Sequence, residues 1–461
     1  MMNNELRPYE NYQVTGLDWL DKVPNHWNKI SVRGITKLSN KRRGCRDDLQ
    51  LLSVYREYGV IRKSSRNDNH NVESIDLSNY KYVDKGYLVL NKMKMWQGSL
   101  GISKYEGIVS PAYIVCKINE DVNLDYLHLL LRSPQYKTIY NRISYGVRVG
   151  QWDMRYDDLK NVPVFIPPRH EQDQIVKYLD HKLAKVNKFI KAKKKLIAVF
   201  NEQKQAIINQ AVTKGIDPNV EMKPSGIDWL GDVPDHWNKN YLFQVVTEQF
   251  ISNKNIKHQN LLSLSYGKII RKDINRTDGL LPETYDNYQV VHEGNIILRM
   301  TDLQNDKKSL RVGLVEETGI ITSAYICIKT RGVVNPEFLS CVLHSYDYMK
   351  VFYGMGGGVR QGIGYDDIKK LPILLPSIEE QAKIVSYIIS QEASIVHKIN
   401  LVEREIELLD EYKSSLISDV VTGKVDVRHI SINESEGGIV EPDIDEELTD
   451  EGELDIEEGD E

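Results

Sequence analysis

The chain has 461 residues, of which 41% are hydrophobic and 27% charged. That is an ordinary globular composition; it excludes collagen-like and wholly disordered chains and leaves room for about two to four domains. The net charge of −6 hides a division: residues 433–461 carry fifteen acids and no base, so the rest of the chain is at +9. A basic body of this kind is an electrostatic footprint for nucleic acid, and the acidic tail reads as a disordered solubilising appendage or, alternatively, as a DNA mimic that screens the basic surface.

No apolar run reaches the ~18 residues of a membrane helix, and Met1-Met2-Asn3-Asn4-Glu5 lacks the layout of a signal peptide. Cys45, Cys116, Cys327 and Cys341 are scattered without a CxxC pair, so no disulfide framework or zinc site is expected. A soluble protein of the reducing cytoplasm fits these features.

Along the chain, the first distinctive segment is Gly16-Leu17-Asp18-Trp19-Leu20-Asp21-Lys22-Val23-Pro24-Asn25-His26-Trp27-Asn28-Lys29. It returns at Gly226 to Lys239 with ten of fourteen positions identical, an offset of 210. Further matches keep nearly that offset. Leu51-Leu52-Ser53 answers Leu261-Leu262-Ser263, and Ala112-Tyr113-Ile114 answers Ala324-Tyr325-Ile326. Tyr156-Asp157-Asp158-Leu159-Lys160 answers Tyr365-Asp366-Asp367-Ile368-Lys369, and Glu171-Gln172 answers Glu380-Gln381. The period is too long for a solenoid, so the chain is one duplicated unit followed by the acidic tail.

Each copy begins as a mixed α/β globule. Short β-type runs such as Tyr87–Leu90 and Asn295–Leu298 alternate with helical stretches such as Leu124–Arg132 and Pro336–Tyr348. Prolines at Pro167-Pro168 and Pro376 then mark a stop, and Ser377-Ile378-Glu379-Glu380 has capping-box spacing. A 4-3-4-3 apolar frame follows in each copy. It runs Leu179, Leu183, Val186, Ile190, Lys193, Ile197, Phe200, Lys204, Ile207, Ala211 in the first and Ile388, Glu392, Ile395, Ile399, Val402, Ile406, Leu409, Lys413, Leu416, Val420 in the second. Helices of this length overrun a 150-residue globule, which favours burial of the two seams on each other as an antiparallel coiled coil within a pseudo-twofold duplication.

The motifs of several enzyme classes are missing. There is no Walker A loop, no HExxH, no His/Cys cluster at metal-ligand spacing and no Asn-Pro-Pro-Tyr or Asp-Pro-Pro-Tyr tetrapeptide. His26 and His236, each before a tryptophan, read as a repeated aromatic staple, with catalysis the alternative. Asp157-Asp158 and Asp366-Asp367 read as helix N-terminal turns, with magnesium binding the alternative. A non-catalytic chain is expected, with no cofactor or metal of its own.

The loops differ between copies where the scaffold agrees. Asn91-Lys92-Met93-Lys94-Met95-Trp96-Gln97-Gly98-Ser99 has as its counterpart the longer Arg299-Met300-Thr301-Asp302-Leu303-Gln304-Asn305-Asp306-Lys307-Lys308. Tyr145-Gly146-Val147-Arg148-Val149-Gly150-Gln151 corresponds to Gly356-Gly357-Gly358-Val359-Arg360-Gln361-Gly362, and Lys41-Arg42-Arg43-Gly44 is a basic loop of the first copy only. Cations, amides and aromatics on Gly-rich loops suit phosphates and base edges, and divergent loops suit two different half-sites.

These phrases resemble the DNA-specificity subunit of type I restriction–modification systems. The resemblance is carried by Val-Pro-x-His-Trp at 23–27 and 233–237, Asn91-Lys92-Met93-x-x-Trp96-Gln97-Gly98 and Ser110-Pro111-Ala112-Tyr113. It continues in Ile166-Pro167-Pro168-x-x-Glu171-Gln172-x-x-Ile175-Val176 with its answer Leu375-Pro376-x-x-Glu379-Glu380-Gln381-x-x-Ile384-Val385, and in Ala211-Val212-Thr213-Lys214-Gly215 with Val420-Val421-Thr422-Gly423-Lys424. It spans residues 15–428, although the second copy lacks the Trp-Gln-Gly phrase.

The resemblance implies a first target-recognition domain at 1–165, a first spacer helix at 166–215, a second recognition domain at 216–374 and a second spacer helix at 375–428, before a tail at 429–461. It also implies double-stranded DNA, two methyltransferase subunits and restriction subunits as partners, with no membrane. S-adenosylmethionine, ATP and Mg2+ belong to those partners. On this reading the DNA contacts are Lys92, Lys94, Trp96, Gln97, Arg148, Gln151, Arg299, Gln304, Lys307, Arg360 and Gln361. The other readings are a specificity module of a methylation-only complex, a coiled-coil scaffold that does not touch DNA, and a self-sufficient DNA-modifying enzyme.

Overall fold

The computed structural model describes residues 6–432 apart from Cys45, Asp47, Glu57, 66–75, Glu120, 147–151, 255–256, 275–283, Asp302, 304–309 and 356–362. They fall into two compact units, residues 6–193 with 404–432 and residues 194–403. The first is therefore assembled from two separate stretches of chain and the second from one.

In the first unit Thr36–Leu38, Tyr113–Ile118, Leu88–Asn91 and Leu100–Ile102 form an antiparallel sheet in that order. Alternation along a strand sends its side chains to two different cores. Leu88, Leu90, Ile114 and Cys116 join the large core, while Val89 and Val115 join a smaller one with Leu52, Val54 and Val60. Both faces are covered, so the strand reads as an unbroken apolar run.

The second unit repeats the design with Val246–Gln249, Ile326–Thr330, Ile296–Leu298 and Val312–Leu314. Ile296, Leu298 and Ile328 face its large core, and Ile297 and Cys327 face the smaller one. The strands expected at 87–90 and 295–298 each start one residue late. The Tyr87 N–H first closes a turn on the Asp84 carbonyl (3.1 Å), and the Asn295 N–H closes one on His292 (2.9 Å).

The expected helices are present as Leu124–Leu131 and Pro336–Tyr348, each started by an asparagine cap. The Asn123 side chain accepts from the N–H groups of Asp125 and Tyr126, and Asn335 accepts from Phe338. The carboxylate pairs lie in one-turn helices, Tyr156–Leu159 and Tyr365–Ile368. There Asp157 pairs with Lys160 and Asp366 with Lys369, both at 2.5 Å. The acids thus sit in the first turn of each short helix.

The helix from Leu124 carries His128, whose Nδ1 accepts from the Ile102 N–H at 3.1 Å. Burial holds its pKa down at about 3, and burial likewise lowers His344 in the second unit to about 4. Both imidazoles are thus neutral when folded, while the unfolded chain takes up protons below its ordinary value near 6.5. Stability is therefore unaffected by these groups above about pH 6.5 and falls as pH drops below it. By pH 5 each costs about 2 kcal/mol. Urea titrations at pH 7.5 and 5 should show this loss, with the first unit's share reduced in His128→Gln, whose amide oxygen can still accept from Ile102.

The two long helices are Arg169–Lys214 and Ile378–Val421, 46 and 44 residues, or about 66–69 Å at 1.5 Å per residue. Along 188–204 the only residues not fully exposed are Ile190, Lys193, Ile197, Phe200 and Lys204, all of them frame positions. Along 393–415 they are Ile395, Ile399, Val402, Ile406, Leu409 and Lys413, again the frame. Within the first unit Asn187 accepts from Lys413 (3.0 Å) and Lys193 pairs with Glu405 (2.5 Å), so the segments run antiparallel. Within the second unit Lys398 lies 6.0 Å from the Phe200 ring centroid, and Ile208–Val212 shares a core with Ile384–Ile388. The pairing has the same sense.

The repeated His-Trp and Glu-Gln phrases prove to be partners. Glu171, buried in the first turn of its helix, accepts from Trp27 Nε1 (2.9 Å) and the Tyr9 hydroxyl (2.7 Å) and lies 2.6 Å from His26 Nε2. Glu380 receives Trp237 (3.0 Å) and meets His236 (2.8 Å) in the same way. The neighbouring Gln172 and Gln381 each accept from the backbone N–H of the asparagine cap and donate to a proline carbonyl. The capping box expected at Ser377 is therefore only half formed. Ser377 Oγ accepts from the Glu380 N–H at 3.3 Å, but the Glu380 carboxylate is committed to Trp237 and His236. The staple is a polar clasp that locks each helix start to its globule.

In the first unit the early and late stretches of chain meet. The Asp426 N–H donates to the Arg7 carbonyl (2.8 Å), and Gln174 Nε2 donates to the carbonyls of Val427 (3.1 Å) and Ile430 (2.8 Å). Ile430 and Ile432 pack on the large core. Among the described residues no helix is long and apolar enough to cross a membrane.

Candidate nucleic-acid interface

In the first unit the loop after Leu88–Asn91 makes one 3-10 turn, Met95–Gln97, with Met95 buried as its anchor. Gly98 ends the turn at φ +89°, donating to the Met95 carbonyl at 2.7 Å. That left-handed backbone is why a glycine closes the Trp-Gln-Gly phrase. Met93 and Lys94 are exposed, while Lys92 and Gln97 are half-buried.

The residues that flank the second loop singled out in the sequence, Tyr145 before it and Trp152 to Met154 after it, lie beside this turn. Tyr145 and Asp153 exchange two backbone hydrogen bonds of 3.0 Å, and the Met154 N–H donates to the Lys92 carbonyl (3.1 Å). Lys92 Nζ pairs with Asp153 at 2.9 Å, and the Trp96 ring meets Trp152 edge-on at 5.3 Å. The Trp96 indole N–H is buried and finds no acceptor among the described residues.

The basic loop 41–43 joins this edge. Arg42 bridges to Lys81 on the backbone, the Tyr82 N–H donates to the Lys41 carbonyl (2.9 Å), and Lys41 Nζ lies 4.0 Å from the Tyr82 ring centroid. Lys81 Nζ donates to the Tyr113 carbonyl. Burial, with the charges of Lys92 and Arg42, lowers the Lys81 pKa below the usual lysine range. Arg42, Lys81 and Lys92 thus gather positive charge along one edge, which suits a polyanion such as the phosphates of a nucleic acid.

In the second unit the same scaffold carries different chemistry. Ser252 bridges to Gln289 where Arg42 bridges to Lys81. Gln289 Nε2 donates to the Tyr325 carbonyl (2.6 Å), the counterpart of the Tyr113 carbonyl that Lys81 uses. The Ile363 N–H donates to Met300 (3.0 Å) as Met154 does to Lys92, so a buried methionine takes the place of Lys92.

Arg299 is half-buried at the base of its loop, and its N–H donates to the Arg311 carbonyl (2.8 Å). Arg311 itself is fully buried. Its Nη1 donates to the carbonyls of Arg299 (3.2 Å) and Thr301 (2.6 Å), and its guanidinium lies 5.5 Å from the Tyr353 ring centroid.

Of the residues expected to meet DNA, Lys92, Lys94, Trp96 and Gln97 share one loop, and Arg299 occupies the corresponding strand end of the second unit. Arg148, Gln151, Gln304, Lys307, Arg360 and Gln361 lie outside the described residues. Sequence reasoning missed Lys81, Trp152 and Arg311. Lys81 and Arg311 each interrupt an apolar β-type run, and a charge in such a run is a signal that could have been read.

The exchange seen at Lys81 and Gln289 supplies a test. Lys81→Gln keeps a donor for the Tyr113 carbonyl and removes one charge. We expect unchanged thermal stability, DNA affinity about tenfold weaker near physiological salt, and a salt slope shallower by about one. Titrating labelled duplex at several salt concentrations measures both.

Residues 24–198 match the family model described as the type I restriction modification DNA specificity domain. Two curated relatives come from Methanocaldococcus jannaschii. The putative type I restriction enzyme MjaX specificity subunit is 26% identical over 314 residues, covering 66% of this chain and 68% of the relative. The type I restriction enzyme MjaVIII specificity subunit is 23% identical over 363 residues, covering 73% and 79%. A solved structure, described as showing complex assembly and conformational transition of the type I R-M system, aligns with 87% of this chain and 99% of that chain. Its TM-score is 0.57 at 13% identity, a likeness of fold.

Proposed function

We propose that the chain is a DNA-specificity subunit of a type I restriction–modification system and that it reads a bipartite, asymmetric DNA site, one half through each unit. The observation that carries this reading is the pair of equivalent loop junctions with unlike side chains. Lys81 and Gln289 donate to equivalent carbonyls, those of Tyr113 and Tyr325, and Lys92 and Met300 hold equivalent backbone positions. One scaffold presenting two chemistries suits two different half-sites.

Lys92, Lys94, Trp96, Gln97 and Arg148 with Gln151 are assigned to one half-site, and Arg299, Gln304, Lys307, Arg360 and Gln361 to the other. Methylation of adenine is assigned to two methyltransferase subunits using S-adenosylmethionine. Translocation and cutting are assigned to restriction subunits using ATP and Mg2+, and this chain contributes recognition only. The exposed faces of the two long helices are the proposed seats of those partners.

The test is the methylome of a methylation-free bacterium carrying this gene with a cognate methyltransferase gene, beside a methyltransferase-only control. The expected result is a new split motif with N6-methyladenine on both strands. A stable complex that yields no new motif would rule the reading out.

A further inference from the structure

We propose that residues 433–461 compete with DNA for the cationic edge of the first unit, seating their carboxylates against Arg42, Lys81 and Lys92. This rests on the DNA-reading function proposed above and assigns a regulator to that same surface.

Three observations carry it. The first is charge: the segment holds fifteen acids and no base in its 29 residues. The second is where it starts. Gln174 holds the carbonyls of Val427 and Ile430, Arg428 pairs with Asp426 at 2.8 Å and lies 4.8 Å from the Tyr9 ring centroid, and Ile432 packs on the first unit's core. The acidic segment is therefore tethered to the unit that bears the cations.

The third observation is the asymmetry between the units. Ser252, Gln289 and Met300 stand in the second unit where Arg42, Lys81 and Lys92 stand in the first. An acidic segment thus finds its complement on the first unit at these positions. One described acid, Asp153, already pairs with Lys92, while the Lys81 ammonium donates to the neutral Tyr113 carbonyl.

Reach is not limiting. A 29-residue segment extends to about 100 Å, against about 40 Å for the diameter of a unit of this size. Tethering sets a local concentration on the order of millimolar, enough for a weak ionic contact to compete. Because the contact is ionic, salt weakens it together with DNA binding.

The experiment uses the complex assembled with its methyltransferase subunits and a duplex carrying the motif from the methylome. Three forms are compared: the full chain, a chain ending at Ile432, and a full-length chain whose tail Asp and Glu are replaced by Asn and Gln. At about 50 mM salt both altered forms should bind DNA on the order of tenfold tighter, and the difference should fade by about 300 mM. In the Lys81→Gln background the gain from removing the tail should shrink. Carbodiimide, a zero-length cross-linker of carboxylates to amines, should join the tail to Lys41, Lys81 or Lys92.

Equal affinity of all three forms would overturn the proposal. So would a gain from truncation that charge neutralisation does not reproduce, or cross-links confined to the second unit. If no form binds DNA, tail-free chain included, the DNA-reading function itself fails and the proposal fails with it.

Discussion

Glu171→Ala should lower the stability of the first unit by about 2–4 kcal/mol, the largest effect expected from any single polar contact there. The carboxylate is buried and receives the Tyr9 hydroxyl and the Trp27 indole at 2.7 and 2.9 Å, with His26 at 2.6 Å. Alanine leaves the first two as buried donors without an acceptor, each costing about 1–3 kcal/mol. Gln is the informative companion. Its amide oxygen can still accept one of those bonds, so Glu171→Gln should recover roughly half the loss. The same substitutions at Glu380 should act on the second unit more weakly, since among the described residues that site shows no counterpart of the Tyr9 hydroxyl and its glutamate is partly exposed. Denaturant titration with a tryptophan signal measures all four, and equal stability of wild type and Glu171→Ala would remove the clasp as a structural element.

Arg311→Ala should cost the second unit about 3–5 kcal/mol, the range for emptying a large, fully buried side chain. It also strips the carbonyls of Arg299 and Thr301 of their donor. Arg311→Lys isolates the positioning role: it retains the charge but not the planar fork that spans two carbonyls. The second unit should stay folded while the loop from Arg299 loses its fixed base. In the methylome, the half-site read by the second unit should then become degenerate, while the half-site read by the first unit remains intact. Loss of both halves together would mean that Arg311→Lys unfolds the unit, and retention of both would mean the loop does not depend on it.

Much of the fold was legible because it follows from periodicity. The frame from Leu179 to Ala211 and from Ile388 to Val420 is the pattern of burial seen along both helices. An amphipathic repeat sustained for ten positions has no other comfortable arrangement. The duplication itself was legible because identical phrases at a constant offset must fold alike. Pairings between distant phrases were not. Nothing in local sequence says that Glu171 faces His26 and Trp27, since the contact spans 144 or 145 residues and depends on tertiary approach.

The candidate interface was half legible for the same reason. Loops rich in cations and glycine announce themselves, and Asp153 and Met154, just after the second such loop, meet Lys92 in the first. Lys81 and Arg311 were passed over because their neighbours spell β-strand, and their importance lies in what they touch across the sheet.

The discontinuity of the first unit has a consequence for synthesis. Residues 194–403 form a complete unit from one stretch of chain, whereas the first unit needs residues 404–432 to finish its core with Leu416, Val420, Val421 and Val427. The part translated first is therefore completed last. At about 5–20 residues per second, the stripe of Ile175, Val176 and Leu179 waits on the order of ten seconds or more for its partners. During that interval the nascent chain exposes an apolar helix face beside an unfinished globule, the state that chaperones bind and that aggregates. A ribosome that stalls before codon 404 would release a sound second unit attached to an open first one. The protein's yield in a cell should then depend on how steadily that stretch is translated.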